Sequence, residues 1–276
     1  MGKDGPIGIL DSGVGGLTVA REIVRYLPEE EIVYFGDTLH LPYGNRLLSE
    51  VKDFVFQIID FLLNEKNAKV IVLACNTATS AALLTVKEKY DIPVFGTIKS
   101  VIESAYQASN NKKIGVIGTE GTINSNAYQK SLMKLDQQLD VYAAACPEFV
   151  ELVEKGKFKG SEVKKTAHKY LDGLKKSGID VLILGCTHFP YLKPVIKEVM
   201  GENVTLISSG VSMAKKIRKK MILLDLLNGN ETAEISQQEF IVSDKNKISK
   251  KFLEKGRNFL NLPSLSFEEF DIFNNN

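Results

Sequence analysis

Short runs of β-branched and aliphatic residues recur along the whole chain, at residues 7–10, 32–35, 70–74, 94–95, 114–117, 141–144, 181–184 and 204–207. Each has the length of a strand and is apolar on both faces. Between them lie stretches with helical spacing: Leu17, Ala20, Val24 and Leu27, then Phe54, Val55, Ile58, Ile59 and Leu62, then Ile98, Val101, Ile102 and Ala105. A strand with no polar face must be covered from both sides, so the alternation predicts a mainly parallel sheet flanked by helices, the α/β layered class. In such sheets ligands bind beyond the carboxyl ends of the strands, which directs attention to the residues that follow each apolar run.

Composition narrows the functional classes. With 276 residues, 44% of them hydrophobic, the chain has the apolar content of a packed globular protein of about two domains. Thirty-five basic side chains against thirty-four acidic ones give a net charge of +1, so no global field favours nucleic acid or an anionic membrane, and the expected partner is a small-molecule substrate or another protein. The basic run KKIRKK at residues 215–220 reads as a solvated helix face, and the chain ends in a polar FNNN. Three cysteines form no disulfide framework, and their odd number points to a reducing compartment. MGKDGPIGIL lacks the apolar core of a signal peptide, and Pro6 stands where a myristoylation signal needs Ser or Thr, so a cytoplasmic protein is expected. The uncharged stretch 70–86 carries Asn76, Thr77, Thr79 and Ser80, and is too short and polar for a span of about 20 apolar residues.

The strand ends repeat. IGILDSGVGG from Ile7 sets against IGVIGTEGT from Ile114, IVYFGDT from Ile32 against VYAAACP from Val141, and VIVLACNT against DVLILGCTH, which aligns Cys75 with Cys186. Three strand ends in near-constant register predict two similar α/β halves, with two thiols facing one cleft from opposite sides. Cys75 follows a strand and precedes a helix start, where backbone N–H groups and the helix dipole are expected to lower a thiol pKa from about 8.5. Cys186 repeats that setting, with Thr187 and His188 after it. Cys146 falls elsewhere in the repeat and reads as structural.

Asp11-Ser12-Gly13-Val14-Gly15-Gly16 is a glycine-rich turn, but Thr18 breaks the G-x-G-x-x-G spacing and no Walker lysine follows, so a dinucleotide or nucleotide is not expected. Asp11 then serves either as a helix cap or as proton partner to a thiol. No C-x-x-C occurs, and His40, His168 and His188 lie in unrelated contexts, so no metal is expected. A Cys–His hydrolase would explain one thiol and leave the second idle. Inverting a stereocentre uses both: one group removes a proton from one face while the other delivers a proton to the opposite face. Asp11 beside Cys75 and His188 beside Cys186 are the candidate helpers.

ILDSGVGGLTV, the DT-x-x-x-PYG of residues 37–44, ACNTATS, GT-x-GTINSNAY from Gly118, ACPEFVELVEKG and LGCTHFPYLKP together resemble the glutamate racemases, a cofactor-independent amino-acid racemase family. The resemblance implies two pseudo-symmetric α/β domains with the active site in the cleft between them. The boundaries are expected at 1–97 plus 206–276 for the first domain and 98–205 for the second. It implies Cys75 as the thiol acting on D-glutamate and Cys186 as the one acting on L-glutamate, with Asp11 assisting the first and Glu154 and His188 the second. Substrate contacts are implied for Asp11, Ser12, Tyr43, Gly44, Asn76, Thr77, Thr119, Thr122, Thr187 and His188. Helical periodicity places Glu151 near the same face as Glu154, so the choice between them rests on the motif. The family further implies no cofactor, a role in supplying D-glutamate for peptidoglycan, and a homodimer. His40 stands where the family usually has arginine, and Ile98-Lys99-Ser100 and Val211-Ser212 also depart from its pattern. The competing readings are an aspartate or other amino-acid racemase, a one-thiol hydrolase or decarboxylase, and a binding protein that kept the cleft without the chemistry.

Overall fold

A computed structural model describes residues 3–228, 237–261 and 265–273. Strands β1 (Ile7–Asp11), β2 (Ile32–Gly36), β3 (Val70–Leu73), β4 (Val94–Gly96), β5 (Lys113–Gly118), β6 (Asp140–Ala145), β7 (Val181–Gly185) and β8 (Thr205–Ser208) fall on the eight apolar runs. Two further strands, β9 (Gln238–Val242) and β10 (Glu268–Glu269), lie in the C-terminal stretch, where no strand was expected. The helices are α1 (Leu17–Tyr26), α2 (Leu48–Asn64), α3 (Asn76–Lys89), α4 (Thr97–Ala108), α5 (Glu120–Asn124), α6 (Ala127–Leu135), α7 (Pro147–Glu154), α8 (Ser161–Lys176), α9 (Lys193–Met200), α10 (Ser209–Leu223) and α11 (Lys250–Leu260). Of the polar tail, residues 274–276 lie outside the described residues.

The strands form two parallel sheets, ordered β10-β9-β2-β1-β3-β4 and β6-β5-β7-β8. The order 2-1-3-4 of the first half recurs as 6-5-7-8 in the second. Register repeats as well: Ile7 pairs with Ile32 and Val70, and Ile114 pairs with Val141 and Val181. The internal repeat of the sequence is therefore a repeat of topology.

Uninterrupted apolar strands follow from this layering. Ile7, Ile9, Val70 and Val72 pack towards Leu17, Ala20 and Ile23 of α1, whereas Leu10, Ile71 and Leu73 point the other way, towards Val51, Val55 and Ile58 of α2. Each such side chain contributes roughly 1.5–3 kcal/mol on burial. Strands β6 and β8 depart from two-sided burial, because each sits at an edge of the second sheet and has a hydrogen-bonded neighbour on one side only. Helix α10 packs on α1 and α4, after which the chain returns to the first sheet as β9. A buried ion pair, Lys69 Nζ to Glu30 Oε2 at 2.7 Å, ties the loop after α1 to the start of β3. Glu30 Oε1 also accepts from Asn228 N at 2.7 Å. Among the described residues no helix is long and apolar enough to cross a membrane.

Candidate active site

The carboxyl ends of β3 and β7 bring Cys75 and Cys186 to a single narrow cleft between the two sheets. Both thiols are free and 6% exposed. Cys75 caps α3, and Ala78 N donates to its Sγ at 3.5 Å. Cys186 is followed by a short 3-10 turn, Phe189–Leu192, where the sequence suggested a helix start like that after Cys75. Cys146 is buried outside the lining, with Sγ 3.7 Å from Ala144 O.

Each thiol has a distinct neighbourhood. On one side His188 Nδ1 stands 3.7 Å from Cys186 Sγ, and its Nε2 meets Glu154 Oε1 at 2.5 Å. Glu154 is the last residue of α7, and Glu151 turns outward to Lys155 at 3.3 Å, which separates two carboxylates that helical periodicity had left equivalent. On the other side Asp11 Oδ2 accepts from Gly13 N at 3.2 Å and Gly16 N at 3.0 Å, while Oδ1 accepts from Thr187 Oγ1 at 3.2 Å. Asp11 thus ties down the turn ahead of α1 and also reaches the second half. The glycines of this turn give room to the opposite wall: a Cβ on Gly15 would lie 2.5 Å from His188 Nδ1 and 2.6 Å from Thr187 Oγ1.

Burial sets the direction for Cys75 and Asp11 but not for His188. It pushes the Cys75 thiol up to about 12, with the Asp11 charge adding to it, against the pull of the Ala78 N–H. This reverses the lowered pKa expected from the helix start, because desolvation of the thiolate outweighs one backbone donor. Burial also raises Asp11 above its ordinary value, against the opposing effects of His188, the Gly16 and Gly13 amides and Thr187. For His188 burial acts to lower the value, but the hydrogen bonds to Cys186 and Glu154 outweigh it and hold the imidazole well above 6.5.

The rest of the lining suits a carboxylate ligand. Thr77 Oγ1 meets Thr119 Oγ1 at 2.9 Å across the cleft, and Thr119 caps α5 by accepting from Thr122 N at 3.3 Å. Gly44 lies so close that a Cβ there would sit 2.6 Å from Thr119 Cβ. The Tyr43 hydroxyl donates to Asp37 Oδ2 at 2.6 Å. Asn76 is 2% exposed; its Oδ1 accepts from Tyr128 OH at 2.6 Å, and its Nδ2 is buried without a partner.

The sequence pattern of the Asp/Glu/hydantoin racemases matches residues 7–217. The chain is 41% identical over 266 residues to the glutamate racemase of Listeria monocytogenes, covering 96% of this chain and 98% of that one. The chain belongs to the Asp/Glu/hydantoin racemase family. Among solved racemases of this family, a glutamate racemase isoform of Bacillus anthracis superposes with a TM-score of 0.90 at 39% identity, covering 98% of both chains. The Francisella tularensis glutamate racemase, solved in complex with D-glutamate, superposes with a TM-score of 0.88 at 33% identity, covering 98% of this chain and 99% of that one.

Within this racemase fold, Ser12, Tyr43, Gly44, Cys75, Asn76, Thr77, Thr119, Cys186, Thr187 and His188 all line the cleft. Asp11, Glu154 and Thr122 stand outside the lining and reach it through Thr187, His188 and Thr119. Pro42 and Val150 also line it and were not singled out from sequence, since an apolar wall has no motif of its own. His40 bonds Asp37 through Nδ1 at 2.9 Å and stacks on Phe54 with ring centroids 3.9 Å apart, and it does not line the cleft. The basic run lies on α10, where Lys215, Lys216, Lys219 and Lys220 line a separate groove of about 880 Å³ with Lys87 and Lys99. That groove is larger than the cleft, but neither thiol lines it.

Proposed function

We propose that this protein interconverts L- and D-glutamate by proton exchange at Cα, with Cys75 acting on D-glutamate and Cys186 on L-glutamate. The observation that carries the reading is the pair of free, buried thiols that enter one cleft from two topologically equivalent sheet ends. From L-glutamate, Cys186 Sγ takes the Cα proton and Cys75 returns a proton to the opposite face; from D-glutamate the roles exchange. The high Cys75 pKa supports the thiol as the resting form on that side, ready to donate. His188, bridged to Glu154, lies within reach to exchange a proton with Cys186, and Asp11 is the charge that tunes Cys75. Ser12, Asn76, Thr77, Thr119 and Thr187, at or near helix starts, offer hydroxyl and amide donors for the substrate carboxylates, with Thr122 supporting Thr119. The reading calls on no pyridoxal phosphate, metal or nucleotide, because the two thiols serve as acid and base. The glutamate racemases among its relatives support glutamate over aspartate as substrate. The same reading carries D-glutamate supply for peptidoglycan, a cytoplasmic setting and a homodimer, the last checked by sedimentation.

Incubation with D-glutamate in heavy water, followed by optical rotation and Cα deuterium, tests it. Wild type should invert and take up deuterium, and Cys75→Ala and Cys186→Ala should each abolish inversion. Turnover that survives loss of one thiol would favour a hydrolase or decarboxylase, and inversion of aspartate alone would move the substrate assignment.

A further inference from the structure

We propose that Tyr128 is a positioning residue for this reaction: its hydroxyl fixes the side-chain amide of Asn76 so that Nδ2 faces the cleft and is presented to a substrate carboxylate. The proposal rests on reading the cleft as an amino-acid site and adds a residue that does not itself line it.

Tyr128 is the second residue of α6, in the second half, and Asn76 the first residue of α3, in the first. Their bond, Tyr128 OH to Asn76 Oδ1 at 2.6 Å, therefore joins the two halves behind the cleft lining, and both residues are buried. A primary amide has two faces of similar shape, one accepting and one donating. With Oδ1 committed to Tyr128, the donor face is left over, and Nδ2 is buried with no partner in the protein. A buried amide N–H without an acceptor is unfavourable, and a carboxylate in the cleft would satisfy it. The reversed amide would turn Oδ1 towards that carboxylate and leave the Tyr128 proton without an acceptor.

Two features make Tyr128 a dependable donor. Burial, with the Cys186 charge adding to it, raises its pKa far above the ordinary 10, so the proton stays on the oxygen. The ring is locked against the end of β7, where a Cβ on Gly185 would come 3.1 Å from Tyr128 Cε2. Tyr128 thus sits against the residue before Cys186 while its hydroxyl holds the residue after Cys75.

Tyr128→Phe removes the hydroxyl and keeps the ring. We expect KM for both enantiomers to rise about tenfold with kcat within about threefold of wild type, the pattern of a lost ground-state contact. In an Asn76→Ala background the same substitution should have no further effect, because Tyr128 acts through that amide. An unchanged KM, a fall in kcat alone, or additivity with Asn76→Ala would overturn the positioning role while leaving the racemase reading intact. Wild type inert towards both enantiomers would instead remove that reading, and this proposal with it. Should the variant not fold, the wild-type Asn76 side-chain amide is followed by nitrogen-15 NMR on adding D-glutamate: its protons should shift, and an unshifted pair overturns the proposal.

Discussion

Gly15→Ala puts the architecture of the cleft to a sharp test, because it adds one methyl group and no charge. The new Cβ would stand 2.5 Å from His188 Nδ1, 2.6 Å from His188 Cε1 and 2.6 Å from Thr187 Oγ1. Carbon and nitrogen normally keep about 3.5 Å apart, so the imidazole must retreat by about 1 Å. It has little freedom to do so, since Nε2 is held by Glu154 at 2.5 Å and the ring is 2% exposed. Crowding of this kind costs about 1–3 kcal/mol of stability. A catalytic group displaced by about 1 Å loses about a hundredfold in rate. The variant should fold, unfold at a lower urea midpoint, and racemise about a hundredfold more slowly in both directions, read by circular dichroism from either enantiomer. Gly173→Ala is the control, because a Cβ there meets nothing within 4 Å. A folded Gly15→Ala protein with wild-type kcat would refute the argument that the turn is glycine-rich to make room for His188 and Thr187.

Iodoacetamide at about pH 8 should label Cys75 far more slowly than a free thiol, because burial and Asp11 hold it near 12 and little thiolate is present; Asp11→Asn should speed labelling, and labelling of wild type at the free-thiol rate would contradict the assignment. His188 is raised in the folded protein above its ordinary 6.5, so its contribution to stability is complete below that value and fades as pH rises through the folded value. The urea-stability gap between wild type and His188→Gln should accordingly shrink as pH rises above about 6.5, and a gap that widens would reverse the sign. Lys69→Met removes the cation from a pair whose side chains are 2% and 0% exposed, which should cost about 3–5 kcal/mol in urea unfolding and leave KM unchanged; a neutral substitution would show that the Glu30 carboxylate does not depend on it.

The eight apolar runs, the doubling of the α/β unit and the equivalence of Cys75 with Cys186 were legible because each depends on local pattern: a strand buried on two faces must be apolar throughout, and a duplicated topology leaves duplicated strand ends; the order of the strands within each sheet came from the tertiary structure. Strand β9 escaped, since QEFIV begins with polar residues and is only partly buried. Tyr128 was visible within a motif but had no evident task, because the residue it bonds lies in the other half of the chain.

The sequence by itself determined the layered α/β class, the internal repeat and the residue types that meet at the cleft. Periodicity left Glu151 and Glu154 equivalent and the motif alone favoured Glu154; the tertiary structure supplies the physical reason, since Glu154 meets His188 while Glu151 faces Lys155. Only the tertiary structure decided the direction of the Cys75 shift: a helix start can be read from neighbouring residues, whereas desolvation and the approach of Asp11 arise when segments distant in the chain close around the thiol and exclude water.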